Sequence, residues 1–100
     1  MAPTGGRGAP RSIEDQVVAS LDQVKIALER AGSSLHKVVK TTMMLRDRHG
    51  YPAMRAAELA YYRQHAPQLV ATPPASTFMQ VAAIAEDPNA LFQMDAIGVI

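Results

Sequence analysis

The chain has 100 residues, of which 48% are hydrophobic and 19% are charged, and its formal net charge is +1. This length allows one domain at most, and the composition is ordinary for a globular protein. Because the charge is nearly balanced and no stripe of Lys and Arg is interleaved with aromatics, the sequence argues against a nucleic-acid partner. The absence of cysteine excludes disulfides, thiolate catalysis and zinc ribbons.

The start of the chain lacks the apolar segment of a secretory signal, and no apolar run reaches the roughly 18 to 20 residues that span a bilayer. We therefore expect a cytoplasmic protein with no membrane partner. Residues 1–11 contain three glycines and two prolines, which predicts a flexible lead-in. A single domain over residues 12–100 is expected to follow.

A helical pattern opens this domain. Its apolar positions are Ile13, Val17, Leu21, Val24, Leu28 and Ala31. The spacing predicts an amphipathic helix from Ile13 to about Arg30. Ser12 is placed as its N-cap, with Asp15 three residues later, and Gly32 is placed to end it in the left-handed conformation.

The next segments predict a strand and a second helix. The β-branched run Val38–Leu45 is typical of a strand. Pro52 suits the first turn of a helix that continues to about His65. A strand, a helix and a second strand in succession indicate a right-handed crossover between parallel neighbours.

The last third of the chain predicts two strands. Three prolines, at positions 67, 73 and 74, indicate a loop. Strands are then expected over residues 77–83 and 91–99, joined as an antiparallel hairpin. The fold class is therefore α+β, with a mixed sheet and two helices on one face.

The last predicted strand has no polar face. One face carries Leu91, Gln93, Asp95, Ile97 and Val99, and the other carries Phe92, Met94, Ala96, Gly98 and Ile100. Two helices cover only one face of a sheet, and a solvated second face should alternate to polar residues. We therefore expect other copies of the chain to cover the second face.

Asp95 is the most informative residue of this strand. A carboxylate in a largely apolar strand is costly unless it is partnered or functional. It could position a water molecule in a cleft, or it could simply pair with a basic side chain or a loop. The three histidines lie in separate segments without ligand spacing, which argues against a metal site.

Five segments carry a family resemblance by their order and spacing: Ala31-Gly-Ser-Ser-Leu35, Val38-Val-Lys-Thr-Thr42, Tyr51-Pro-Ala-Met54, Gln80-Val-Ala-Ala83 and Met94-Asp-Ala-Ile97. They resemble the Rid family of reactive intermediate deaminases, also called YjgF or L-PSP-like proteins. The resemblance implies a chorismate-mutase-like α+β fold and a homotrimer with clefts between subunits. It also implies water-assisted hydrolysis of reactive enamines and imines to ketones and ammonia, with no metal or organic cofactor.

The chain departs from the family pattern in ways that bear on the site. Family members begin with a β-hairpin, where this chain has only the Gly/Pro-rich lead-in. The family arginine that binds the substrate carboxylate aligns with Ser76, which lacks the charged bidentate fork. The acid near the C-terminal end is usually Glu and here is Asp95. The position in the second helix that is often Asn is Arg55.

These positions give the candidate site. Asp95 is the candidate catalytic residue, and Ser76, Thr77 and Arg55 are candidate substrate-binding residues, with Arg55 as a substitute for the missing arginine. Each also has a structural interpretation, as a strand-entry residue or a solvated surface charge. If the protein is an enzyme, we expect Asp95 to face a cleft at the subunit boundary, near the loop that holds Ser76, because residues of hairpin neighbours lie side by side.

Two functions remain open on the sequence. The chain is either an enamine or imine hydrolase acting on a small carboxylate-bearing metabolite, or a non-catalytic Rid-like trimer that binds a small carboxylic acid or serves as a structural or regulatory partner. The missing arginine and hairpin favour the second, and the retained acid favours the first.

Overall fold

The computed structural model describes residues 12–85 and 87–100. Its helices are α1 (Ile13–Arg30), α2 (Tyr51–His65) and α3 (Gln68–Ala71), and its strands are β1 (Val38–Leu45), β2 (Ala75–Gln80) and β3 (Phe92–Gly98). Single 3-10 turns cover Leu35–Lys37 and Arg48–Gly50. The predicted lead-in over residues 1–11 lies outside the described residues.

The ends of α1 confirm the prediction from the sequence. The Ser12 hydroxyl accepts a hydrogen bond from the backbone N–H of Asp15 at 3.1 Å, which satisfies one of the free donors of the first turn. Gly32 has a φ of 84°, and the next N–H, that of Ser33, donates to the Leu28 carbonyl at 2.8 Å. This is the Schellman arrangement that ends helices at glycine.

The sheet has the strand order β2-β1-β3. The parallel pairing of β1 with β2 confirms the predicted crossover. The predicted hairpin between the last two strands is wrong, because β3 pairs antiparallel with β1 and not with β2. The connection over residues 81–91 is longer than the roughly two to five residues of a hairpin loop. It therefore takes the chain past the end of β1 to its other edge.

The remaining boundaries differ from the predictions by small amounts. The strand β2 begins and ends earlier than predicted, and β3 is one residue shorter at each end. The predicted proline-rich loop contains the single turn α3, for which Pro67 supplies the N-cap. Its Leu69 is buried in the core, which explains why a turn of helix forms between prolines.

The two faces of the sheet have different environments. In β1, Thr41, Met43 and Leu45 are buried, and the methionine and leucine belong to one core cluster with residues of α1 and α2. The alternate side chains form what we call the exposed sheet face: Lys40, Thr42, Met44, Thr77, Met79, Gln93, Asp95 and Ile97. Met79 and Ile97 expose 42% and 61% of their surface, so this face carries uncovered apolar side chains.

A buried glutamine connects α1 to the segment that precedes β3. The side chain of Gln16 is fully buried. Its amide nitrogen donates to the Asn89 carbonyl at 2.9 Å, and its amide oxygen accepts from the Leu91 N–H at 2.7 Å. These two bonds satisfy backbone groups of an irregular segment, and they hold β3 at the edge of β1 that lies away from β2.

Within the described residues, no helix is long and apolar enough to cross a membrane.

The Gln16 contacts generate a stability prediction. Gln16→Leu keeps the approximate volume but removes the bond to the Asn89 carbonyl and the acceptor of the Leu91 N–H, so we expect a loss of about 1–3 kcal/mol in the free energy of unfolding. Urea denaturation at fixed protein concentration measures this loss. Gln23→Leu, at an exposed position of the same helix, is the control and should change stability by less than about 0.5 kcal/mol. If both variants lowered the free energy of unfolding equally, the role assigned to Gln16 would be contradicted.

Candidate functional site

The four candidate site residues lie on both sides of the sheet. Asp95 and Thr77 belong to the exposed sheet face, where both flank Thr42 of β1. Ser76 and Arg55 lie on the core side. The expectation that Asp95 lies beside Ser76 is wrong, because it depended on the hairpin. The strand β1 separates the two strands, and Ser76 points to the opposite face.

On the exposed sheet face, Asp95 is an exposed carboxylate. Among residues 12–85 and 87–100, no side chain forms an ion pair or hydrogen bond with it. Thr77 lies two strand spacings away, roughly 9–10 Å between Cα atoms. Its hydroxyl accepts a hydrogen bond from Lys40 Nζ at 2.6 Å. The structure thus places an acid, a lysine and two threonines on one surface.

On the core side, Ser76 is tied to the central strand. Its Oγ lies 2.7 Å from the Thr41 Oγ1, at hydrogen-bonding distance. It also donates a longer bond of 3.4 Å to the Pro74 carbonyl. Because Thr41 is buried, this contact satisfies a hydroxyl that would otherwise lack a partner. The structural interpretation of Ser76 therefore has direct support, and its binding role stays a prediction.

Arg55 is held by a buried acid one turn further along α2. Its Nη1 donates to the Glu58 carboxylate at 2.5 Å, and the Glu58 side chain is fully buried whereas the Arg55 side chain is 30% exposed. The guanidinium carbon lies 5.9 Å from the centre of the Phe78 ring. Burial raises the pKa of the nearby Tyr62 phenol, and the Glu58 charge raises it further. Arg55 is therefore fixed between an acid and an aromatic face.

A cavity of about 610 Å³ lies beside Phe78, at the end of the sheet where α2 begins. Its apolar walls are Leu45, Tyr51, Pro52 and Phe78, and its polar groups come from Arg48, His49 and Gln80. The Tyr51 and Phe78 rings meet edge to face with their centres 5.2 Å apart. This volume falls within the range of small-molecule sites, which combine apolar walls with a few polar groups. We call it the aromatic cavity.

The 3-10 turn that precedes α2 forms one rim of the aromatic cavity. The Asp47 carboxylate accepts a hydrogen bond from the His49 N–H at 2.9 Å and also lies 2.9 Å from the His49 ring. These bonds, chiefly the one from the backbone, lower the pKa of Asp47. The Arg48 N–H donates to the Gln80 side-chain oxygen at 3.1 Å. Backbone contacts therefore fix the position of Arg48, which lines the cavity.

Reasoning from the sequence missed the aromatic cavity and the acid beneath Arg55. The signal for Glu58 was present, since it lies four residues after Met54 and three before Tyr61, both buried, and Arg55 is at the i−3 position where it can pair with an acid. No signal in the sequence marked Arg48. Within the described residues, no group of three or more histidines or acids could hold a metal ion.

The Arg55–Glu58 pair generates a prediction about stability. Arg55→Met leaves a buried carboxylate without its cation, so we expect a loss of about 2–3 kcal/mol. Replacing both residues, as Arg55→Met with Glu58→Leu, removes the charge and should restore most of that stability. Thermal or urea denaturation of the two variants measures the coupling. If the double variant were as unstable as Arg55→Met, the unpaired Glu58 charge would not be the cause of the lost stability.

Comparison with known proteins agrees with this architecture. The sequence profile of the family described as Endoribonuclease L-PSP matches residues 1–100. The chain is 31% identical over 90 residues to the 2-iminobutanoate/2-iminopropanoate deaminase of Escherichia coli K12, which covers 90% of this chain. The chain spans 66% of the length of that relative.

Solved structures resemble the fold. The crystal structure of the YjgF gene product of E. coli superposes with a TM-score of 0.79 at 29% identity, covering 92% of this chain and 68% of that one. The crystal structure of E. coli TdcF with bound serine gives a TM-score of 0.80 at 25% identity, covering 93% of this chain and 68% of that one. Because the family profile matches residues 1–100 and these relatives are similar in sequence and fold, the chain belongs to the Endoribonuclease L-PSP family, which includes the Rid and YjgF proteins.

Proposed function

We propose that this protein is a homotrimeric hydrolase that converts a reactive enamine or imine bearing a carboxylate to the corresponding keto acid and ammonia. The sites lie in clefts between subunits, and the protein acts in the cytoplasm without a metal or organic cofactor. Similarity to the E. coli 2-iminobutanoate/2-iminopropanoate deaminase supports this reaction class. The serine bound in the structure of TdcF supports a small ligand with a carboxylate.

The observation that carries the proposal is the separation of the candidate residues by the sheet. Asp95 and Thr77 lie on the exposed sheet face, whereas Arg55, Ser76 and the aromatic cavity lie on the other side of β1. No site within one chain can bring all of them to one substrate. If they act together, Asp95 of one subunit must reach the cavity side of its neighbour.

The exposed sheet face supplies a reason for subunits to associate. It combines the apolar side chains Met44, Met79 and Ile97 with five polar ones, and Val99 beyond the end of β3 is also 52% exposed. Apolar side chains on a sheet face gain free energy when another surface removes them from water. A cyclic trimer would cover this face and create identical clefts at its boundaries.

The chemistry assigned to Asp95 is activation of water. The carboxylate accepts a proton from a water molecule as the water oxygen bonds to the imine carbon. The proton then passes to the nitrogen and gives a carbinolamine. The carboxylate next carries the hydroxyl proton to the same nitrogen, the carbon–nitrogen bond breaks, and ammonia leaves as the carbonyl forms. The balance is one imine and one water in, one ketone and one ammonia out. A positioned general base of this kind contributes about 10²–10⁴-fold to a rate.

A second candidate is a trimer that binds a small carboxylic acid without turnover. The contact between Ser76 and Thr41 favours it, because a serine already bonded within its own sheet supplies no charged fork to a carboxylate. Loss of such a contact costs about 2–5 kcal/mol. For this reason we expect slow turnover of the smallest imines even if the protein is an enzyme.

The proposed assembly generates a prediction. Ile97→Asp places a charge in the apolar part of the exposed sheet face, so a trimer that buries this face should dissociate. Light scattering at micromolar concentration should give the mass of a trimer for the wild type and a smaller mass for the variant. Ile26→Asp, at an α1 position that is 47% exposed, is the matched control and should remain trimeric. A monomeric wild type would refute the assembly.

The proposed reaction is tested with Asp95→Asn, which keeps the shape of the side chain and removes the charge. Imines made in the assay by an amino-acid oxidase are followed through their conversion to keto acid. We expect the variant to lose about 10²–10⁴-fold in rate while its mass remains that of the wild type. Full activity in a correctly assembled variant would remove Asp95 from the mechanism. No hydrolysis by the wild type would favour the binding protein.

A further inference from the structure

The wall of the aromatic cavity indicates the shape of the ligand. Tyr51 and Phe78 meet at right angles, with an interplanar angle of 87°, so their two rings form a corner. Leu45 and Pro52 extend the apolar surface on either side. A ligand as small as a two- or three-carbon acid would leave most of this wall in contact with water. A ring or a branched chain would cover it, and apolar contact area is what such a wall stabilises.

The positive charge of Arg48 at the rim of the aromatic cavity indicates that the other end of the ligand is an anionic group. Among the residues that the structure describes, the Arg48 guanidinium forms no ion pair or side-chain hydrogen bond. The pKa of the nearby acid, Asp47, is lowered chiefly by hydrogen bonds from His49 and to a smaller extent by the Arg48 charge, with which it forms no hydrogen bond. The buried Glu58 is paired with Arg55. The rim therefore has a cation whose five donors remain available. Guanidinium groups bind carboxylates in a bidentate manner, with two parallel hydrogen bonds.

The backbone of Arg48 is held in place before any ligand arrives. Its N–H donates to Gln80 on β2, and the turn that contains it is capped by Asp47. A binding group on a fixed backbone loses less conformational entropy when it engages a ligand. The second cation of this region, Arg55, lies over the Phe78 ring, with its guanidinium carbon 5.9 Å from the ring centre.

We propose that the aromatic cavity binds a carboxylate whose body is an aromatic ring or a branched apolar chain, with the carboxylate on Arg48 and the body against Tyr51 and Phe78. This inference rests on the proposed function and narrows it: the substrates are imines of aromatic or large apolar 2-amino acids. Arg48 then takes the role that Ser76 cannot fill. The slow turnover expected for small imines follows from the same geometry.

Binding is measured first, because it does not depend on turnover. Phenylpyruvate and pyruvate carry the same keto-acid group and differ in the ring, and both are stable enough for calorimetry with the assembled protein. We expect phenylpyruvate to bind at least about tenfold more tightly, since its ring is removed from water. Equal affinities, tighter binding of pyruvate, or no binding of either compound would overturn the proposal.

Variants separate the two ends of the ligand. Arg48→Gln should weaken the binding of both keto acids by a similar factor of about ten or more, because both lose the same charged contact. Tyr51→Ser, at a position that is 39% exposed, should weaken the binding of phenylpyruvate and leave that of pyruvate unchanged. Arg63→Gln, at an exposed position of α2, is the control and should change neither of the two dissociation constants. Unchanged binding in Arg48→Gln would overturn the assignment of the carboxylate.

Turnover then distinguishes failure of this inference from failure of the proposed function. Imines are made from phenylalanine and from alanine by an amino-acid oxidase, and kcat/KM is compared. A higher kcat/KM for the phenylalanine-derived imine supports the inference. A higher kcat/KM for the alanine-derived imine refutes the inference but leaves the proposed hydrolase function standing. If neither imine is hydrolysed, the proposed function fails, and the two binding constants alone decide whether the cavity selects an aromatic carboxylate.

Discussion

The central strand β1 imposes the constraint on which the rest of the structure depends. It pairs on both edges, with β2 in parallel and β3 antiparallel, so every residue of the strand belongs to one of two faces. On one face Met43 and Leu45 join the core. On the other, Lys40, Thr42 and Met44 lie among polar and apolar side chains, of which Met79 and Ile97 are exposed. A sheet can keep one face in water, but these exposed apolar side chains gain free energy when another surface covers them.

This division also organises the chemistry. The acid that suits water activation lies on the exposed sheet face, and the cavity that suits a small ligand lies beyond β1, at the core side. Two halves of a site on opposite sides of a sheet meet only if a second copy of the chain supplies one of them. Association that sets the exposed sheet face of one subunit beside the cavity of its neighbour would cover apolar surface and bring the two halves together at the same boundary. In this account, assembly and activity have one physical cause.

Local patterns predicted the parts of the fold that depend on local chemistry. Ser12 and Gly32 marked the two ends of α1, and Pro52 marked the beginning of α2, because caps and proline act on the backbone next to them. The pairing of β3 was missed because strand order depends on which edge of β1 is available, and no local signal records that. Gln16 illustrates the difference: its two bonds hold the segment before β3, yet in the sequence it is only a polar residue in an apolar series.

The candidate site was predictable to a similar extent. Asp95 stood out because burying a carboxylate in an apolar strand is costly, but within one chain it is exposed and that cost does not arise, so its catalytic role stays a prediction. Its placement beside Ser76 failed together with the hairpin. Arg48 had no such contrast with its neighbours, since arginine is ordinary in turns, and only the three-dimensional structure shows that it lines a cavity. Glu58 was marked by its helical spacing from Met54 and Tyr61, and the structure shows that its side chain is fully buried against Arg55.

Subunit mixing tests the shared site most directly. Asp95→Asn subunits are unfolded and refolded together with Arg48→Gln subunits, so that each parent lacks a different half of the cleft. If Asp95 and Arg48 act from neighbouring subunits of a trimer, an equal mixture should have about a quarter of its clefts with both halves intact and recover a corresponding share of wild-type imine hydrolysis. A mixture no more active than the average of its two parents would contradict the account.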